Sequence, residues 1–258
     1  MNPSFAAVVL FALTIPALEG ADNDPAAMSA DELAGRMNAA RLGSAAVRVR
    51  LETESPGTGK RVFQLQIKER RTRAGTDLVY EVLWPKERKG EAVILHQSGS
   101  GAPSGSMVVQ PNTVRPLKAS DMDEGLFGSD LSYQDAIENF FAWKDQTVTG
   151  SETLDGVPCL ILESKPGRSD ATIYGKVRSW IDPRRFVPMR VEKYSNSGQL
   201  VRRIDTTRVS RDEGRRPIPS RLTVQGTRKD SVTELTGARI DQDVKFSDRD
   251  FTPEGLGK

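Results

Sequence analysis

Ala45-Ala46-Val47-Arg48-Val49-Arg50-Leu51-Glu52 decides the fold: from Val47 onward every second residue is apolar and those between are charged. Successive side chains of a β-strand point to opposite faces, so this stretch reads as an extended segment with one dry face and one wet face. The same period returns where Phe63, Leu65 and Ile67 alternate with Gln64, Gln66 and Lys68. It returns again where Leu78, Tyr80, Val82 and Trp84 alternate with Val79, Glu81 and Leu83. Turn residues bound these runs: Pro56-Gly57, Ala74-Gly75 and Pro85. Further strand-like runs cover 91–97, 106–110, 144–154, 157–164, 176–182, 187–194, 199–209, 218–226 and 231–243. So many strands with short turns predict an antiparallel sheet curled into a barrel or sandwich. No repeat of fixed period is visible.

The first residues differ from the rest. Phe5 to Ala17 is apolar except for Thr14 and Pro16, and the small residues Gly20 and Ala21 follow. The run is too short to span a bilayer but suits the apolar region of a secretory signal. The expected layout is a signal peptide over 1–20, a linker over 21–28 and one domain over 29–258. Removing residues 1–20 deletes a single acid, Glu19, and raises the formal charge from +2 to +3. A balance this near neutrality argues against a nucleic-acid partner, which would call for a concentrated basic surface. The lone Cys159 excludes an intramolecular disulfide, and no cysteine follows the signal to carry a lipid anchor.

Two segments carry a helical pattern. Ser29-Ala30-Asp31-Glu32 has the capping-box spacing, with Leu33, Met37 and Ala40 on one stripe and an end near Gly43. Residues 119–143 break the β pattern. There Ser132 is placed to cap a short helix with Asp135 in its first turn, and Tyr133, Ala136, Ile137, Phe140 and Phe141 crowd its apolar side. Such a stripe serves either as a fixed closure of the barrel end or as a mobile lid over an apolar cavity.

Leu126-Phe127-Gly128-Ser129-Asp130-Leu131-Ser132-Tyr133-Gln134-Asp135 resembles a signature of the LolA/LolB-like outer-membrane lipoprotein-sorting proteins. Trp180-Ile181-Asp182-Pro183 through Pro188-Met189 to Tyr194-Ser195-Asn196-Ser197-Gly198 resembles that family's strand-turn-strand. Phe246 to Asp250-Phe251-Thr252-Pro253 resembles its closing segment. The chain departs from the pattern at Leu131, where the family usually has Phe, and in the flexible stretch Gly99 to Gly105, which places it as a divergent member. The resemblance implies a mainly β fold: a curved antiparallel sheet forming an incompletely closed β-barrel, with an N-terminal helix, a helical lid and a cavity for acyl chains. Exposing an acyl chain to water costs about 0.8 kcal/mol per methylene, so carrying one across an aqueous space demands an apolar sleeve. The expected lid-side contacts are Phe127, Leu131, Tyr133, Ile137, Phe140 and Phe141. The expected wall contacts are Val49, Leu51, Leu65, Ile67, Tyr80, Val82 and Trp84.

Other chemistry finds little support. Pro56-Gly57-Thr58-Gly59-Lys60 fails as a phosphate loop, because Glu54 stands where the leading glycine should be and Arg61 replaces Ser or Thr. His96 is the only histidine and has no nucleophile-elbow partner, so it reads as a strand-end polar residue and offers no metal site. Cys159, among Val157, Leu160, Ile161 and Leu162, reads as a small buried apolar residue. Ser129 and Asp130 read as turn and capping residues. Arg70-Arg71, Arg73, Arg184-Arg185, Arg202-Arg203 and Arg215-Arg216 read as solvated faces, with contact to anionic lipid as the minority reading.

The sequence therefore predicts a periplasmic carrier or receptor for the acyl chains of lipoproteins or lipids. It is expected to be monomeric, not an enzyme, and without cofactor, nucleic-acid partner or metal, with an inner-membrane transporter as an allowed partner. A sensor or scaffold of the same fold that binds a protein is the alternative, favoured if Phe63, Trp84, Phe140 and Trp180 pack the interior shut. An envelope hydrolase is the third reading and would require a buried cluster of His96 with a Ser and an Asp.

Overall fold

Thirteen strands form one antiparallel sheet in the computed structural model, which describes residues 28–41, 43–109, 113–212, 215–227 and 230–256. The expected signal peptide and nearly all of the expected linker lie outside the described residues. One half of the sheet is a meander of β1 (Gly43–Ser55), β2 (Gly59–Arg71), β3 (Gly75–Trp84), β4 (Ala92–Ser98), β5 (Ser104–Val109) and β6 (Thr113–Leu117). The other half runs through β7 (Asp145–Leu154), β8 (Val157–Lys165), β9 (Lys176–Asp182), β10 (Val187–Tyr194), β11 (Leu200–Arg211), β12 (Pro217–Gln225) and β13 (Val232–Gln242). The halves join where β1 pairs with β13, and β6 and β7 are left as the two edges. The sheet is thus curved and not closed, as the resemblance implies. At its open side the Ala171 amide donates to the Ser100 carbonyl at 3.1 Å, tying the β8–β9 loop to the β4–β5 loop.

The strand runs read from the sequence fall within a few residues of these elements, with one exception. Thr113–Leu117 was not expected as a strand. Four of its five residues are exposed and Pro116 interrupts its donors, so neither alternation nor propensity marks it, as befits an edge. Among the described residues no helix is long and apolar enough to cross a membrane.

The N-terminal helix α1 (Ala30–Ala40) forms as its capping signal predicts. The Glu32 amide donates to Ser29 Oγ at 3.2 Å, while the Glu32 side chain pairs with Arg36 at 2.8 Å instead of reaching back. Leu33, Ala34 and Met37 are buried against Phe140, Phe141, Trp143, Leu160 and Leu162. A second core lies on the concave face of β1 to β4, where Leu51, Phe63, Leu65, Tyr80, Val82, Val93 and Leu95 converge.

A third cluster covers the convex face. The C-terminal segment folds back so that Phe251 packs with Val79, Ala92, Ile94 and Val108, and β3 and β4 are buried on both sides. Arg70 lies 4.7 Å over the Phe251 ring and bridges Asp77 and Asp248 at 2.7 and 2.9 Å. Phe251→Ala is expected to cost about 3–5 kcal/mol and to expose the outer apolar face. Urea denaturation, with a hydrophobic dye added in native buffer, measures both effects.

Candidate functional site

The segment from Lys118 to Lys144 crosses from edge β6 to edge β7, and it fills the curl instead of covering it. It was expected to be a helical lid. It holds only one short α-helix, α2 (Tyr133–Ile137), with three-residue 3-10 turns at Ala119–Asp121, Leu126–Gly128 and Phe140–Ala142. The helix starts as predicted: Ser132 Oγ accepts from the Asp135 amide at 3.1 Å and the Asp135 carboxylate accepts from the Ser132 amide at 2.8 Å. It ends at Glu138, whose backbone turns extended and sends Phe140 and Phe141 toward α1.

Most of the expected contact residues meet here. Phe127, Leu131, Tyr133 and Ile137 pack against Leu51, Leu65, Ile67, Tyr80 and Val82, with Val49 partly buried at the margin. Phe140 and Phe141 belong instead to the cluster beneath α1. Trp84 is a correction: 49% of it is exposed. Leu65 pairs with Val82 but Gln64 pairs with Trp84, so a bulge at Leu83 absorbs one residue and turns Trp84 to the outer face with Gln64.

Four polar anchors hold the crossover. At its start, Arg61 donates to the Gly128 carbonyl at 2.9 Å. Gly128 has φ +76°, and a Cβ there would fall 2.8 Å from the Arg61 guanidinium, so any other residue would strain the backbone and push Arg61 off this contact. Next, the Asp130 carboxylate accepts from Ser231 and Thr233 at 2.8 and 2.9 Å, and its amide donates to Thr233 Oγ1 at 2.8 Å, pinning the turn to the start of β13. The reading of Asp130 as a turn residue holds, with this long-range tie added.

The third anchor is ionic. Asp135, 0% exposed in its side chain, lies 2.8 Å from Lys193 Nζ and 2.8 Å from Arg202 Nε, and Tyr174 donates its hydroxyl at 2.7 Å. Burial alone would raise this carboxyl, but Lys193, Arg202 and the hydrogen bonds overcome it and hold it at about 2. Glu138 shares Lys193 at 3.8 Å yet is shifted the other way, because burial outweighs the more distant charge. The fourth anchor caps the helix end. Arg71 donates to the carbonyls of Ala136 and Ile137 at 3.1 and 3.2 Å, and Arg41 donates to the Glu138 carbonyl at 3.3 Å. These are the carbonyls that a short helix leaves without partners.

Arg71 and Arg202 therefore correct the expectation of solvated faces. Arg203 is partly exposed and pairs with Asp205, and Arg215-Arg216 sits at the β11–β12 turn with Asp212. Two clefts flank the ionic cluster. One, of about 410 Å³, is lined by Asp123, Ser129, Tyr174, Val201 and Arg202. The other, of about 300 Å³, lies between Glu138, Asn139 and Trp143 and the loops at Arg73, Ser100 and Asp170.

The remaining candidates stay apart from this site. His96 Nδ1 is 2.8 Å from Asp77 Oδ1, and Ser104 is the next residue across the sheet. The His96 side chain is 41% exposed, on the face occupied by the C-terminal segment, so the buried cluster a hydrolase would need is not formed there. Cys159 is buried, and burial pushes its thiol up to about 11, far from a reactive value. No group of three His, Cys, Asp or Glu placed to hold a metal occurs among the described residues.

An incompletely closed, strongly curved sheet with its crossover inside defines a LolA-like fold, and solved structures share it. A DUF1329 family protein from Desulfovibrio piger superimposes with a TM-score of 0.78 at 19% identity, over 86% of this chain and 95% of that one. A domain from Vibrio parahaemolyticus named for outer membrane lipoprotein sorting gives 0.74 at 16% identity, over 84% and 94%. A LolA superfamily protein from Nitrosomonas europaea gives 0.69 at 19% identity, over 88% and 98%. Residues 76–258 match the model of a family described as uncharacterized protein, and the chain belongs to that family. No curated protein matches it.

Proposed function

We propose that this protein is a periplasmic carrier or receptor that takes up acyl chains of lipoproteins or lipids between the concave wall and the crossover. One observation carries the reading: the wall residues Leu51, Leu65, Ile67, Tyr80 and Val82 pack against the apolar side chains of a separate, polar-latched segment, with Val224, Ile204 and Leu235 of the other half of the sheet in the same cluster. Hydrocarbon can replace those side chains contact for contact, since apolar burial is non-directional. The latches favour such an exchange. Opening an ionic latch returns its charges to water, which regains much of the desolvation cost of burying them. The apolar run at Phe5 to Ala17 supports export. The likeness to a structure named for lipoprotein sorting supports the class of cargo. A monomer passing its load to or from an inner-membrane transporter is the arrangement this reading implies, with no catalytic step.

A second reading is favoured by the filled interior. Phe63 and Phe140 are buried in the interior clusters, as expected of a scaffold that binds a protein without cargo, whereas Trp84 is exposed and Trp180 is buried on the opposite sheet face from Ile181. Purification of the mature chain without detergent, followed by solvent extraction and mass spectrometry, separates the two. Co-purifying phospholipid or acylated peptide, lost in a folded Ile137→Gln, Phe140→Gln variant, is the expected result. An extract empty of lipid, with no uptake of a fluorescent fatty acid, would leave the scaffold reading.

A further inference from the structure

The smaller cleft is built differently from the apolar interior. Two of its lining residues, Glu138 and Asn139, each carry a buried acceptor atom with no hydrogen bond of good geometry. Glu138 is 2% exposed in its side chain; its Oε1 accepts from Gln134 at 2.9 Å and the Thr172 side chain also donates to the carboxylate, while Oε2 has no donor in good hydrogen-bond geometry. The nearest cation, Lys193 Nζ, is 3.8 Å away and sits 2.8 Å from Asp135, to which it is already committed. Beside it, the buried Oδ1 of Asn139 also has no donor, while the Asn139 amide nitrogen donates to Asn38 Oδ1 at 2.7 Å. Buried acceptors are rarely left in this state, and a pair of them facing one cleft calls for a donor-rich group from outside.

The rest of the cleft sets the shape and charge of that group. Asp170 lies at its edge, with one carboxylate oxygen held by the Gly167 amide at 2.7 Å. Trp143 gives an aromatic wall. At the exposed rim stands Arg73, which makes no ion pair among the described residues. A group satisfying these features carries several N–H donors and a positive charge at its inner end, and an anion at its outer end. A volume of about 300 Å³ admits a small polar molecule or a lipid headgroup and excludes a whole lipid.

We propose that this cleft binds an aminoalkyl phosphate of the phosphoethanolamine type. Its ammonium donates to Glu138 Oε2 and Asn139 Oδ1, and its phosphate faces Arg73. The assignment deepens the carrier reading by naming a headgroup, and the acyl chains of such a lipid would run from the cleft toward the crossover, but the cleft's chemistry stands without them.

Isothermal titration of the mature chain with soluble glycerophosphoethanolamine tests it. Glycerophosphocholine lacks the N–H donors and glycerol phosphate lacks the ammonium. Both are expected to bind about tenfold more weakly, the loss produced by one or two missing charge-assisted hydrogen bonds. Glu138→Gln, which keeps the Gln134 contact, and the surface change Arg73→Ala are each expected to weaken binding by about tenfold as well. Circular dichroism checks that both variants are folded. Absence of saturable binding, or equal binding of the three ligands, overturns the proposal. So does indifference to both substitutions. Flotation with phosphatidylethanolamine vesicles distinguishes a membrane lipid from a free headgroup as the source. Glycerophosphoethanolamine binding with an empty lipid extract would sustain the cleft while removing the carrier reading. A lipid-laden extract with no headgroup binding would do the reverse.

Discussion

Asp135→Asn is expected to destabilise the protein by about 3–5 kcal/mol at neutral pH, the cost of removing one member of a fully buried ion cluster. Lys193 and Arg202, 2% and 9% exposed in their side chains, would be left facing a neutral amide. Glu138 is too far from Lys193 to replace the lost carboxylate. The pH dependence gives a second reading of the same site. The Asp135 carboxyl is held at about 2 against an ordinary value of 3.8, so its stabilisation is present above pH 3.8 and disappears as pH falls through about 2. A depression of that size contributes about 2 kcal/mol, less than the cost of truncation, because truncation also takes from buried Lys193 its 2.8 Å partner and leaves Arg202 with Asp123 alone. Urea denaturation at pH 7 and pH 3 should show the parent protein losing more stability across this window than the variant, whose remaining loss comes from other depressed carboxylates such as Glu163. A variant within about 1 kcal/mol of the parent would mean that the cluster does not hold the crossover.

Arg71→Leu is expected to loosen the crossover more selectively. The replacement keeps part of the apolar stem but leaves the carbonyls of Ala136 and Ile137 without a donor in a buried setting. Each such group costs about 1–3 kcal/mol, and both lie in one segment. Limited proteolysis should therefore cut between residues 118 and 144 before it cuts the sheet. If acyl chains enter beneath the crossover, fluorescent fatty-acid uptake should accelerate in the same variant. Unchanged proteolysis would show that the apolar contacts alone seat the segment.

Much of this structure was legible in the residues, and what was missed has physical causes. Alternation marked the strands whose one face is buried, and failed at β6, which has almost no buried face to leave a pattern. The capping signals at Ser29 and Ser132 were local and therefore readable. The crossover's apolar stripe was visible, but its insertion into the curl depends on Lys193, Arg202 and Arg71, distant in sequence. A usable signal existed in their parity. Lys193 shares its strand face with Val191, Arg202 shares one with Ile204, and Arg71 shares one with Leu65 and Ile67. A lone charge in an apolar alternating series marks a paired ion in the core, not a solvated face. Trp84 was misplaced for another reason: a bulge breaks the parity that alternation assumes, and nothing in Leu83 announces it.

The pairing of β1 with β13 carries a kinetic consequence. Each half of the sheet is a run of hairpins between neighbours in the chain, which can zip locally and early. The seam from Ala45↔Gln242 to Glu54↔Val232 joins residues separated by nearly the whole described chain, so its closure entropy is met only once both meanders exist. Until that seam forms, β1 and β13 each expose a long unpaired ladder. Assembly of this chain is therefore a race between stitching its own two ends together and pairing with the ends of another copy.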